Sequence, residues 1–118
     1  MRSTVSSMLV LCLAACAGCG GAPPPNERMA SSEAAIRGAK EVGADGVPKA
    51  SLYLKLSEEQ VAKAKAMIAD GDNERADLVL QRAQSDAELA LALARENTAK
   101  LEAQKLVDQV TQLRGGKK

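Results

Sequence analysis

A chain with no Phe, Trp or His, and with Tyr53 as its one aromatic residue, has almost nothing bulky with which to fill a core. Large side chains supply most of the apolar area that ordinary domains bury. Here the apolar residues make up 46% of the chain and are mostly Ala and Leu. An Ala-rich core lets helices approach closely but buries little area per residue. The fold class expected is therefore all-α. At 118 residues there is room for one domain at most. A monomer so built is only marginally stable, and self-association or a partner surface would help it.

The chain punctuates itself into three helices, expected at about 31–42, 48–69 and 73–114. Ser31 or Ser32 can cap the first, whose Ile36, Ala39 and Val42 share one side. The run Gly43-Ala44-Asp45-Gly46-Val47-Pro48 ends it, and Pro48 suits the first turn of the next helix. In Asp70-Gly71-Asp72-Asn73, Gly71 supplies a left-handed C-cap, and Asp72 or Asn73 caps the third helix. No breaker then appears until Gly115.

Leu52, Leu54 and Leu56 alternate with Ser51, Tyr53 and Lys55 in a strand-like period, and Ser57-Glu58-Glu59-Gln60 has the form of a capping box. A lone strand would have no partner, so the stretch reads as helix. Its apolar breadth, like that of Leu89 to Leu93, calls for a third body, which the first helix supplies. Val61, Ala64 and Ile68 should face Ala76, Leu80, Ala83 and Ala87 across the Gly71 turn. The expected architecture is a three-helix cluster built on a helical hairpin, with a long C-terminal helix extending as a coiled-coil-like tail. In that tail Ala99, Ala103, Leu106, Val110 and Leu113 repeat at spacings of four and three.

The N-terminal region reads differently. Met1-Arg2 is followed by an apolar run from Val5 to Ala15, broken by Ser6 and Ser7. About eleven residues are too few to span a bilayer as a helix, which takes roughly twenty, and fit a secretory signal peptide over 1–15. Leu13-Ala14-Ala15-Cys16 resembles the lipobox of bacterial lipoproteins, which implies acylation of the Cys16 thiol, with Cys19 as the alternative. Residues 16–30, with Gly20-Gly21 and Pro23-Pro24-Pro25, read as the lipidated Cys and a tether, flexible and then stiff. Ala17 follows the Cys directly; by resemblance to lipoprotein sorting, that implies the periplasmic face of an outer membrane. All three cysteines lie within the first twenty residues, so none can staple the helical module.

The turn Gly71-Asp72-Asn73-Glu74-Arg75-Ala76 and the run Gln81-Arg82-Ala83-Gln84-Ser85-Asp86-Ala87-Glu88-Leu89-Ala90 resemble a family of bacterial lipoproteins catalogued as a domain of unknown function. The resemblance covers about 31–96. In that family the helical region sometimes precedes a peptidoglycan-binding domain of the outer-membrane-protein-A type, which this sequence lacks. The hairpin is also similar in texture to tetratricopeptide repeats, although arrays of those need about three units.

Net charge is +1, from 16 basic and 15 acidic residues, which argues against a nucleic-acid partner. Asp70, Asp72 and Glu74 lack the Gly and Glu of a calcium loop, since Arg75 and Gln81 stand there, so helix capping is expected and no metal. Asp86 lies beside the core stripe, where a hydroxyl of Ser57 or Tyr53, or Arg82, should satisfy it. With neither His nor a Cys in the helical module, no catalytic residue is expected and no cofactor beyond lipid on Cys16. Gly115-Gly116-Lys117-Lys118 forms a basic tail at 115–118, and its layout resembles the major outer-membrane lipoprotein joined to peptidoglycan through a C-terminal Lys. The function expected is a non-catalytic structural or adaptor lipoprotein. It would hold a membrane by lipid and contact an envelope protein or its own copy through Leu106, Val110 and Leu113. The alternative is a peptidoglycan tether through Lys118.

Overall fold

The computed structural model describes residues 21–116 and is helical almost throughout. Three α-helices follow one another: α1 over Asn26–Glu41, α2 over Pro48–Ala69 and α3 over Asn73–Gly115, with a single 3₁₀ turn at Ala44–Gly46 before α2. The all-α reading and the long C-terminal helix both hold. No described helix is long and apolar enough to cross a membrane.

The first helix starts earlier than Ser31. Pro25 occupies the N-cap position, and the backbone N–H of Met29 already bonds the Pro25 carbonyl at 2.9 Å. A proline has no N–H to continue a helix backwards, and its ring restricts the residue before it to extended backbone. The helix therefore begins at the first residue after Pro23-Pro24-Pro25, and residues 26–30, expected as tether, form its opening turn. Ser32, expected as a cap, is instead buried mid-helix.

Both left-handed positions fall on glycine, Gly43 and Gly71, each at φ 79°. At Gly71 the backbone makes the paired closure that a left-handed cap allows: Gly71 N–H to Ile68 at 3.0 Å and Asp72 N–H to Met67 at 2.8 Å. Pro48 opens α2 at its first turn. The side chains of Asp72 and Asn73 do not cap α3. Asp72 accepts from Arg75 at 2.8 Å, and the Asn73 amide donates to the Ala22 carbonyl at 2.6 Å. A guanidinium one turn on outcompetes the amide N–H groups for that carboxylate, because charge-assisted bonds are the stronger kind.

The core is what an aromatic-free sequence allows. Leu54 and Leu80 are its only fully buried large apolar side chains among the described residues, and Ala39, Ala44, Ala50, Ala64, Ala76 and Ala83 are sealed from solvent around them. Alanine at a crossing lets helix axes approach to the short end of the roughly 8–10 Å range, close enough for side chain to bond backbone. The Ser32 hydroxyl of α1 shares its one proton between the Arg28 carbonyl of its own helix at 2.8 Å and the Leu80 carbonyl of α3 at 2.9 Å, and Ser57 of α2 donates to the Ala83 carbonyl at 2.7 Å. Each of the shorter helices is thus pinned to α3 by one buried hydroxyl. Two ion pairs, Lys65 with Glu33 at 2.8 Å and Lys40 with Glu58, tie α1 to α2 at the surface. Solvent screens such half-exposed pairs, and they add little to stability.

One position in α1 runs against its element. Gly38 sits inside the helix, and a Cβ built there meets nothing within 4 Å. Glycine in a helix interior costs about 0.5–1 kcal/mol relative to alanine. Gly38→Ala is expected to raise the melting temperature by a few degrees in a circular dichroism scan. A fall would mean that the helix surface at this position is covered.

Candidate functional site: the projecting half of the third helix

The residue pairs fix the direction of each helix. Arg28 meets Asp77 at 3.2 Å, Ser32 meets Leu80, and Val42 lies beside Arg95 and Thr98, so α1 runs parallel to α3. Ser57 meets Ala83 while Val47 and Lys49 reach Leu93 and Glu96, so α2 runs antiparallel. The chain enters the cluster at the end that carries the Gly71 turn, where Asn73 holds Ala22. All three helices share one stretch of α3, which ends near Asn97, the last half-buried residue. From Thr98 to Gly116 every residue is exposed. At 1.5 Å per residue, α3 is about 64 Å long; Val42 still borders Glu102, and the last 20 Å or so, from Ala103, project beyond its partners.

The buried row of α3 is Ala76, Leu80, Ala83, Ala87, Ala90 and Ala94. The seam of Ala99, Ala103, Leu106, Val110 and Leu113 does not continue that row. At 3.6 residues per turn it is centred roughly 140° around the helix from it. Within the cluster the same side of α3 carries the exposed Gln81, Ser85, Glu88 and Ala92. The end of α1 borders one flank of α3 through Val42, and the start of α2 borders the other through Val47 and Lys49. Ala99 lies at the edge of the first flank and Glu96 at the edge of the second, and the back of α3 between them is exposed.

Leu106, Val110 and Leu113 are 61%, 49% and 77% exposed. Beside them Val107 is also exposed and widens the seam by one position, which the spacing of four from Ala103 to Val107 could have indicated. Leu101 is exposed on the opposite side, in line with the buried row. The seam begins in charged surroundings. The Lys100 ammonium, hydrogen-bonded to Glu96 one turn earlier, holds the Glu96 carboxyl below the usual carboxylate range.

Asp86 is half-buried as expected, but its partner differs. Gln60 donates to it at 2.8 Å, because the Ser57 hydroxyl is already committed to the Ala83 carbonyl. The same commitment removes the capping box: Ser57 stands in the middle of α2. Acylation of Cys16 or Cys19 and attachment through Lys118 fall on residues outside the described ones.

No curated protein and no solved structure matches the chain. A family model described as "Domain of unknown function (DUF4398)" matches residues 27–106, a span that takes in the opening turn of α1, the whole cluster and the first part of the projection. The chain, whose own helical hairpin is built on α2 and α3, belongs to that family, a domain of unknown function.

Proposed function

We propose that this chain is a lipid-anchored protein of the cell envelope that works by surface contact, holding the exposed end of α3 away from a membrane toward another protein. Acylation of Cys16, with Cys19 as the alternative, rests on the Leu13-Ala14-Ala15-Cys16 tetrapeptide and the apolar run before it. The observation that carries the reading is one of direction. Cys16 lies six residues before Ala22, a reach of about 20 Å even when fully extended, so an anchor there tethers the Gly71 end of the cluster close to the bilayer. α3 starts at that end and runs away from it. Two or three acyl chains at about 0.8 kcal/mol per buried methylene hold such a protein effectively permanently. Outer-membrane placement facing the periplasm is part of the proposal and rests on Ala17 after the anchor.

The chemistry of the described residues suits contact better than catalysis. The exposed seam offers apolar area, while His is absent from the chain and Cys from its helical module. Cys16→Ser is expected to abolish palmitate incorporation and move the protein from the membrane pellet to the soluble fraction. Unchanged pelleting, with label retained, would shift the anchor to Cys19; no label in the natural protein would end the reading.

A second reading gains from the same direction. α3 carries the basic tail to the far end from the anchor segment, the arrangement that a tether between membrane and peptidoglycan through Lys118 requires. The two readings share the anchor and differ in what the far end does.

A further inference from the structure

The back of α3 carries a stricter pattern than a solvent face needs. Ala99, Ala103, Leu106, Val110 and Leu113 alternate between the a and d positions of a heptad, and the same alternation extends back through Glu96 and Ala92 to Leu89. All of these residues are exposed. Sustained over more than three heptads, such spacing suits another helix lying alongside rather than a flat or irregular surface. α1 borders this side at Val42 beside Ala99, and α2 at Val47 and Lys49 beside Glu96, so the seam is unobstructed from Ala103 onward.

We propose that the occupant is a second copy of this chain, its α3 parallel and in register, so that each seam residue meets its own counterpart. This rests on reading the far end of α3 as the contact surface. Two observations favour the parallel pair. Val110 stands at an a position between Leu106 and Leu113 at d, and a β-branched a with Leu at d favours two parallel strands. In that register Gln109 lies beside Arg114 of the other copy at the tip, while Arg95 lies beside Lys100 nearer the cluster, a like-charge contact that the apolar seam must offset. Direction agrees as well: both Gly71 ends, and both segments leading to Cys16, lie at the same end of a parallel pair and so reach one membrane. An antiparallel pair would send them to opposite ends. Ala99 and Ala103 allow close approach beside the cluster, and the larger side chains fill the tip. Glu96, the one charged residue in the stripe, is ionised and paired to Lys100 within its own helix. In register, two Glu96 carboxylates face each other, a repulsion that the Lys100 ammonium beside each one reduces and that weakens the pair at this level. Confinement of both copies to one membrane raises their effective concentration and offsets that cost.

The test places single cysteines in the full chain, expressed in its own envelope. Leu113→Cys should give a disulfide between the introduced thiols of two copies, identified from the linked peptides. Its yield should be at least tenfold that of Asp108→Cys, which lies on the opposite side of α3. Equal linkage at both positions, or none at position 113, overturns the pairing. A photo-crosslinking side chain at Leu106 separates this from failure of the contact surface. Adducts to a different protein, without the disulfide at position 113, reject the second copy and keep the surface, and no adduct of any kind rejects both.

Discussion

Leu80→Ala should leave the helical module largely unfolded at 37 °C, while Leu78→Ala, two residues away, should leave its melting temperature where it was. Leu80 is sealed from solvent on the buried row of α3, and Leu78 is 65% exposed. Removing a buried leucine costs the transfer energy of the lost carbons plus the cavity left behind, about 2–5 kcal/mol in all. The upper part of that range applies here, because the site cannot collapse. Its backbone lies within a helix, in reach of the Ser32 hydroxyl that Leu80 shares with Arg28, and the neighbouring Ala76 and Ala83 have no further side chain to move inward. Domains of ordinary size have only about 5–15 kcal/mol in total, and one in which Leu54 and Leu80 are the only fully buried large apolar side chains among the described residues lies at the low end. A loss of a few kcal/mol corresponds to a fall of 10 °C or more in melting temperature for a domain of roughly this size, read by circular dichroism. A fall of less than about 5 °C would mean that alanine contacts, rather than Leu80, carry the cluster.

The absence of large side chains explains how far the fold is legible in the sequence. With so few candidates for a core, the periodic residues Ile36, Ala39, Val61, Ala64, Ala76 and Leu80 have to face inward, and all are buried. The glycines at 43 and 71 and Pro48 mark boundaries through backbone chemistry that no tertiary contact overrides. The start of α1 is harder to read, because Ser31 and Ser32 resemble caps, whereas the prolines before Asn26 are the real barrier. Ser32 and Ser57 illustrate the limit. A serine on an apolar face has the same appearance as a cap until the neighbouring helix is near enough for its carbonyl to accept the hydroxyl, and that proximity depends on the alanines opposite. The projecting seam is legible as a spacing. Its rotation by roughly 140° from the buried row is implicit in the same 3.6-residue period but visible only once the buried row is known. That rotation separates surface that α1 and α2 use from surface they leave free.

Leu106→Glu combined with Val110→Glu should remove the contacts proposed for the far end of α3 without lowering the melting temperature of the cluster. Both residues are exposed and lie beyond the last half-buried residue, Asn97, so neither packs on α1 or α2. Glutamate is nearly as good a helix former as leucine, and exposed substitutions usually stay within about 0.5 kcal/mol. At an interface the balance is different. Each apolar side chain contributes about 1.5–3 kcal/mol when covered, and each carboxylate placed there must be desolvated as well, so the pair should weaken association at least 100-fold. Crosslinking in intact cells reads this directly: adducts of the natural chain should vanish in the double variant. The cell-wall reading makes the opposite forecast, since a bond through Lys118 does not depend on the seam, and muropeptides linked to Lys118 would persist. Persistence of those muropeptides together with unchanged crosslinks would assign the far end of α3 to the wall and make the apolar seam incidental. Loss of crosslinks, with the cluster intact and Lys118 unmodified, would leave surface contact as the work of the projecting helix.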